Sequence, residues 1–161
     1  MVNENDKSVD IIIWDNKYLT GIDVIDSQHK YLINLTNQLY KACCERSDGL
    51  SVTFQEAMRK MVNYVRFHFT AEMELQKFIK YPESSAHKKL HDDLIQKIID
   101  ASNDYKDGKK YTPNIFVRTL VDWILSHIAY HDKLYVYFIT EQKNKGLLTD
   151  KMMEEIETTI S

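Results

Sequence analysis

Apolar residues recur three and four positions apart along most of the chain, which is the spacing of an amphipathic α-helix. Only four glycines and two prolines occur in 161 residues, and they fall between the periodic segments rather than inside them. Both residue types are unfavourable in a helix interior, so their positions mark helix ends. The pattern therefore predicts an all-α fold.

The first two helices are delimited by turn and capping residues. We predict the first from Asp23 to about Arg46, before a Ser-Asp-Gly turn. Thr53 with Glu56 three residues later has the form of a capping box, which predicts a second helix from there to about Ile79.

Two more long helices and one short helix follow. Ser84 is a suitable N-cap for a third helix that fades into the polar stretch 102–110. Thr112 with Pro113 predicts a fourth helix that runs to about Gln142, because proline suits the first helical position. After Gly146, apolar spacing continues to residue 160 and predicts a short fifth helix outside the bundle.

Helices joined by short loops pack as antiparallel neighbours. The expected architecture is an up-down-up-down antiparallel four-helix bundle with an N-terminal arm and a short C-terminal fifth helix. We expect one domain over residues 1–161, with the arm at 1–20, the bundle at 21–142 and the C-terminal helix at 146–160. The side chains predicted to face inward are Ile25, His29, Leu32, Ile33, Thr36 and Leu39, then Met58, Met61, Val62, Val65, His68, Glu72 and Leu75, then His87, Leu90, His91, Leu94, Ile95 and Ile98, then Leu120, Trp123, Ile124, His127 and Tyr135.

Composition narrows the class of partner. A chain with 43% hydrophobic residues, 28% charged residues and a net charge of -3 is typical of a folded protein and is not basic enough to follow nucleic-acid phosphates. No apolar run reaches the roughly 18 residues of a membrane span, and residues 1–10 lack a signal-peptide pattern. We expect a cytoplasmic protein without nucleic-acid or membrane partners, whose neighbouring Cys43 and Cys44 are reduced thiols.

Histidines and carboxylates on the inner faces indicate a metal site. His68 with Glu72, and His87 with His91, are four residues apart and so share a helix face. A lone inward histidine is more often a hydrogen-bonded core residue, but so many buried polar groups would be costly without a shared partner. Imidazole suits iron, zinc, copper and nickel, and a carboxylate can bridge two ions. Five imidazoles and two carboxylates favour a dinuclear site.

The fourth helix leaves two candidate ligands open. His127 and His131 are four residues apart and would share a face, whereas Asp132 lies about 140° from His127 on a regular helix. Spacing alone therefore favours His131. Asp132 could face inward only with local overwinding or a π-type bulge, a feature often found at functional sites.

A set of short segments resembles the bacterial members of the hemerythrin family. The resemblance covers about residues 14–138 and is carried by Trp14, Tyr18, Thr20-Gly21-Ile22, Ile25-Asp26, Gln28-His29, His68-Phe69, Glu72, Tyr81-Pro82, His87, His91, Trp123, His127-Ile128 and Asp132.

The resemblance implies a hemerythrin-like domain with a non-haem di-iron centre and an oxo or hydroxo bridge derived from solvent. Its metal ligands would be His87, His91 and His127 on one iron, His29 and His68 on the other, and Glu72 and Asp132 as bridges. The iron with two histidines would keep an open position for dioxygen. Apolar side chains would exclude water there, and the candidates, which could equally be plain core residues, are Ile124, Leu32, Ile33, Phe69, Trp123 and Ile128.

The function implied is reversible dioxygen binding for carriage, storage, delivery or sensing, without enzymatic activity. The expected partners are dioxygen and an unidentified protein that receives it. One alternative is a di-iron enzyme that consumes dioxygen, peroxide or nitric oxide, and another is a bundle that binds zinc or no metal. Ferritin-like di-iron proteins use Glu-x-x-His pairs, and this sequence contains none, which favours the binding protein.

Overall fold

The computed structural model describes residues 10–44, 50–109 and 112–161, and these residues are mainly helical. A short 3₁₀ turn, Asn16–Tyr18, precedes the first long helix. The helices are α1 (Asp23–Cys44), α2 (Leu50–Phe78), α3 (Ser84–Lys106), α4 (Thr112–Ser126), α5 (Asp132–Asn144) and α6 (Asp150–Ile160), and a π-helical segment, His127–His131, joins α4 to α5.

The long helices form the predicted four-helix bundle. Helix α1 packs on α2 and α4, and α3 packs on the same two helices, so the four close into a ring. The fourth member is α4 continued by the π segment and α5. Helix α6, the predicted C-terminal helix, packs against α1 and α2 on the outside of that ring.

Two predicted helix starts are wrong, one by about a turn and the other by one residue. Helix α2 begins at Leu50, so Thr53 lies within it rather than capping it. Ser84 is the first residue of α3, whose N-cap is Glu83 and has no side-chain capping bond. Capping patterns in sequence do not fix a helix start when packing can extend the helix by a turn. The predicted end near Arg46 and residues 1–9 of the arm lie outside the described residues, as does the side chain of Cys44.

Three helix ends share one hydrogen-bonding pattern. After α2, the N–H of Tyr81 donates to the carbonyl of Gln76 and the N–H of Lys80 to that of Lys77, which is a Schellman motif. The residue with positive φ in this motif is Lys80, at 56°. Gly108 and Gly146 occupy the same position after α3 and α5, where the lack of a Cβ makes positive φ inexpensive.

A polar layer divides the interior into two apolar clusters. Along α1, Ile25 belongs to one cluster and Leu32 to the other, with buried His29 between them. Along α2, Val65 and Leu75 are divided in the same way by His68 and Glu72. The buried polar side chains therefore lie at one level across the bundle, and apolar residues close it on both sides.

The described part of the N-terminal arm is attached to α1. The backbone N–H of Ile12 donates to Oδ1 of Asn37, and Nδ2 of Asn37 donates to the carbonyl of Ile12. The rings of Trp14 and Tyr18 pack against each other at 5.7 Å between centroids, beside the apolar cluster that contains Leu32. Within the described residues, no helix combines the length and apolarity that crossing a membrane requires.

We expect Leu39→Ala to lower the free energy of unfolding by about 2–5 kcal/mol, because Leu39 is fully buried in α1 and its truncation leaves a cavity. Leu147→Ala is the matched control, since Leu147 is 63% exposed and its replacement should change stability by less than about 0.5 kcal/mol. Urea unfolding of both variants measures the difference. Equal losses would contradict the assigned core.

Candidate metal centre

Seven side chains from four helices meet in the polar layer, and each is 5% exposed or less. They are His29 from α1, His68 and Glu72 from α2, His87 and His91 from α3, His127 from the π segment and Asp132 from α5. The donor atoms of six of them form two groups that share Glu72, one with His29 and His68 and the other with His87, His91 and His127, and Asp132 contacts both groups. Within each group these atoms lie within 4.8 Å of one another.

Glu72 presents one oxygen to each histidine group. Its Oε1 lies 3.6 Å from Nε2 of His29 and 3.9 Å from Nε2 of His68. Its Oε2 lies 3.1 Å from Nε2 of His91 and 3.4 Å from Nε2 of His87. This carboxylate therefore spans the two groups, as a bridging ligand must.

Asp132 spans the groups in the same way. Its Oδ2 lies 3.3 Å from Nε2 of His29, while its Oδ1 lies 3.1 Å from Nε2 of His127 and 3.4 Å from that of His87. Two carboxylates thus connect one group with two imidazoles to one with three. The unequal number of histidines makes the two halves chemically different.

The π segment brings Asp132 to this position. The N–H of Asp132 donates to the carbonyl of His127, five residues earlier, instead of the carbonyl four residues earlier. The extra residue per turn places residues five apart on one face, so Asp132 points inward beneath His127. Of the two conformations considered from the sequence, the π-type bulge is the one observed.

His131 does not join the cluster. Its ring centroid lies 5.7 Å from that of His127. The ring packs edge-on against the ring of Tyr130, with 5.1 Å between the centroids. It is partly exposed, and it belongs to neither group of converging donor atoms in the described chain. The regular-helix argument, which favoured His131, fails because this part of the helix is not regular.

The electrostatics of the cluster favour a cation. Burial acts to raise the pKa of Glu72, but His68 and the contacts with His29, His87 and His91 outweigh it and hold that pKa well below its usual value. Burial and Glu72 act to raise the pKa of Asp132, yet His127 and His29 lower it overall. Both carboxylates therefore remain negative in this buried layer.

The imidazoles of the smaller group differ in protonation. Burial lowers the pKa of His29, but Asp132 and Glu72 raise it overall to about 9. Burial dominates for His68 and lowers its pKa to about 3. With no metal ion, the proton on His29 balances part of the carboxylate charge, and a metal cation would take over that role.

Unsatisfied polar atoms test whether the cluster suits metal. Both ring nitrogens of His29 and both carboxylate oxygens of Asp132 are buried without a hydrogen-bond partner. Nε2 of His91 faces Nε2 of His127 at 2.9 Å, and both nitrogens also approach carboxylate oxygens at 3.1 Å. Buried polar atoms without a hydrogen-bond partner, such as those of His29 and Asp132, are costly unless a shared ion lies among them. The donor set fits metal.

Aromatic rings cover the three-histidine side. Phe69 stacks on His91 at 3.6 Å between centroids with parallel planes, and Trp123 stacks on His127 at 4.1 Å. Phe69 also lies 5.7 Å from His68. Among the other predicted pocket residues, Leu32, Ile33, Ile124 and Ile128 are buried in the apolar cluster that contains Phe69.

Two side chains outside the predicted ligand set hold members of that set. The hydroxyl of Tyr135 donates to Oε1 of Glu72 at 2.9 Å, and Oε1 of Gln28 lies 2.9 Å from Nδ1 of His68. Sequence reasoning placed Tyr135 on the inner face and noted Gln28 beside His29, but assigned neither of them a role. Gln28 directly precedes His29 and Tyr135 follows Asp132 by three residues, so polar residues close to ligand positions are the signal that could have indicated them.

Comparisons with known proteins agree with this geometry. The family model described as Hemerythrin HHE cation binding domain matches residues 20–139. A bacteriohemerythrin of Stenotrophomonas maltophilia (strain R551-3) is 29% identical over 126 residues, which are 78% of this chain and 79% of that protein. A bacteriohemerythrin of Pseudomonas aeruginosa (strain LESB58) is 28% identical over 140 residues, 87% of this chain and 88% of that protein.

A solved hemerythrin mutant has a similar fold, with a TM-score of 0.71 at 24% identity over 79% of this chain and 95% of that one. Fold and donor set together define a helical-bundle protein of the metal-binding class. The family match covers most of the chain, so the chain belongs to the hemerythrin family, whose fold is a non-haem di-iron oxygen-binding fold. Membership implies non-haem iron binding.

We expect Asp132→Ala to reduce iron content, because it removes the carboxylate that contacts His29, His87 and His127. His131→Ala is the matched control one residue earlier and should retain the iron of the unaltered protein. Iron per chain, measured by atomic absorption after identical purification, checks both. Iron loss in His131→Ala equal to or greater than that in Asp132→Ala would contradict the assignment of Asp132, rather than His131, to the metal site.

Proposed function

We propose that this protein binds dioxygen reversibly at a di-iron centre held by His29, His68, Glu72, His87, His91, His127 and Asp132. The observation that carries the proposal is the span of the two carboxylates, each with one oxygen toward each histidine group. With two ions bound, Glu72 and Asp132 would each offer one oxygen to each ion, and solvent would supply a further oxo or hydroxo ligand.

The unequal histidine groups support a binding site for a small ligand. His87, His91 and His127 offer three imidazoles on one side, whereas His29 and His68 offer two on the other. With the same two bridges, the second side has one donor fewer, which leaves room for an exogenous ligand. A pair of iron ions bound here would supply the two electrons that reversible binding of dioxygen requires.

The surroundings restrict access of water. Ile124, Leu32 and Ile128 are almost completely buried and belong to the apolar cluster on one side of the polar layer. Apolar walls favour reversibility because water and protons would promote release of reduced oxygen species and leave the metal oxidised. Tyr135 keeps its proton at neutral pH, since burial and then Glu72 raise its pKa well above the usual value, and it holds Glu72 by a hydrogen bond.

An enzyme that consumes dioxygen, peroxide or nitric oxide is the second candidate. Hemerythrin-family proteins are typically oxygen-binding rather than enzymes. The donor set of this chain has five imidazoles and two carboxylates, in contrast to the carboxylate-rich Glu-x-x-His sets of ferritin-like oxidases. This composition supports binding over oxidation chemistry. A cytoplasmic location, a protein that receives dioxygen, and a single domain over residues 1–161 stay predictions of the sequence.

We expect the reduced protein to show a visible absorption band in air that disappears under nitrogen and returns over repeated cycles. The measurement is a series of visible spectra during gas exchange, with iron per chain determined in the same sample. Bleaching within one cycle, together with turnover of added peroxide or nitric oxide, would favour the enzyme. A protein without iron would contradict both.

We expect Ile124→Ala to shorten the lifetime of the oxygenated form several-fold, because it opens the buried wall beside the site to water. Ile115→Ala on the same helix is the control, since Ile115 is 63% exposed. The decay of the visible band at constant oxygen pressure measures both. Unchanged decay in Ile124→Ala would assign Ile124 to core packing alone.

A further inference from the structure

Gln28 connects the metal centre to the C-terminal helix. Its side chain is buried between α1, α2 and the end of α6. Its Oε1 lies 2.9 Å from Nδ1 of His68, and its Nε2 donates to the carbonyl of Ile160 at 3.4 Å. One amide thus contacts both a candidate ligand and a helix 132 residues away in sequence.

The contact with Ile160 sets the direction of the amide. A carbonyl oxygen can only accept a hydrogen bond, so Nε2 of Gln28 must face Ile160 and Oε1 must face His68. Oε1 is also only an acceptor, so the proton of the neutral His68 ring must lie on Nδ1. The unprotonated Nε2 of His68 then directs its lone pair toward Glu72 and the rest of the cluster, as metal binding requires.

The structure of α6 holds the Ile160 carbonyl in place. The last four carbonyls of a helix lack partners within it, and the amide of Gln28 satisfies one of them. Met153, Ile156 and Ile160 are buried in the apolar cluster that also contains Ile25 and Leu75. The helix end also carries partial negative charge, which favours the donor side of the amide.

Gln28 is only 5% exposed although it borders the surface, and the last turn of α6 is one of the elements that contact it. Gln28 and Ser161 line the same shallow surface cavity, together with Val24 and Phe67. Without residues 158–161 the amide of Gln28 would be open to solvent and able to turn over. In the reversed orientation the amide would donate to Nδ1 of His68, so the ring proton would lie on Nε2, the nitrogen that faces Oε1 of Glu72.

We propose that α6 is a positioning element of the metal centre: the carbonyl of Ile160 orients the amide of Gln28, which fixes His68 in the tautomer that offers Nε2 to metal. The proposal rests on the proposed iron site for its consequence in metal binding. The tautomer of His68 itself is independent of any bound ion. Gln28 is a positioning residue, since it acts on the metal only through His68.

The first test is the His68 tautomer in iron-free protein, read from the ¹⁵N chemical shifts of its ring. We expect the Nδ1-protonated form in the unaltered chain. Gln28→Leu should convert it to the Nε2-protonated form, and removal of residues 158–161 should give a mixture. Gln38→Leu, which changes an exposed glutamine on the same helix, is the matched control and should leave the shifts unchanged.

The second test is the rate of iron release to a chelator from the reduced protein under nitrogen. We expect Gln28→Leu and the truncation each to speed release from one of the two irons by about 10- to 100-fold, the usual effect of removing a hydrogen-bond partner of a ligand. Their combination should release iron no faster than Gln28→Leu alone, because both act through one amide. Gln28→Glu, which keeps an acceptor for His68, should make release insensitive to the truncation.

If the variant that combines Gln28→Leu with the truncation released iron faster than Gln28→Leu alone, by the product of the two separate effects, the proposal would be overturned. Helix α6 would then contribute packing alone. An Nε2-protonated His68 in the unaltered chain, or unchanged shifts in Gln28→Leu, would overturn it as well. Failure of the proposed function would be a different result, because the unaltered protein would then contain no iron. The ¹⁵N shifts of the His68 ring would still report its tautomer in that case.

Discussion

Seven polar side chains buried at one level of a small helical bundle form the constraint on which the rest of this structure depends. Each imidazole or carboxylate loses its water on folding and must find a partner in the interior. Most of their donor atoms point at one another across 2.9–3.9 Å, and several have no hydrogen-bond partner. The arrangement is reasonable for a protein that folds around a metal pair, and it divides the apolar core into two clusters.

The same constraint explains the irregular fourth helix. A regular α-helix through residues 127–132 would turn Asp132 away from the cluster and bring His131 closer. The π segment lacks regular α-helical hydrogen bonds over one turn. Because of this change in geometry, Asp132 faces His29, His87 and His127 together. A carboxylate at this place can join both histidine groups, whereas an imidazole offers its nitrogens in opposite directions and could not.

The side chains around the cluster determine the orientation of its members. Tyr135 holds one oxygen of Glu72, Phe69 and Trp123 stack on His91 and His127, and Gln28 faces His68. These contacts come from helices on different sides of the bundle, so the position of each donor depends on how the helices pack. Helix α6 packs against α1 and α2, and the carbonyl of its residue Ile160 also accepts a hydrogen bond from the amide of Gln28.

The sequence by itself determined the helices, the bundle and the inward histidines, because helix periodicity and short loops are local properties that place His29, His68, Glu72, His87 and His91 on buried faces. It did not fix the helix starts at Leu50 and Ser84, where capping signals compete with packing. Residue spacing also favoured His131, and only the family resemblance pointed to Asp132. The tertiary structure decided that choice and the contact from Gln28 to Ile160, because a π turn and a contact across 132 residues depend on interactions that no local pattern contains.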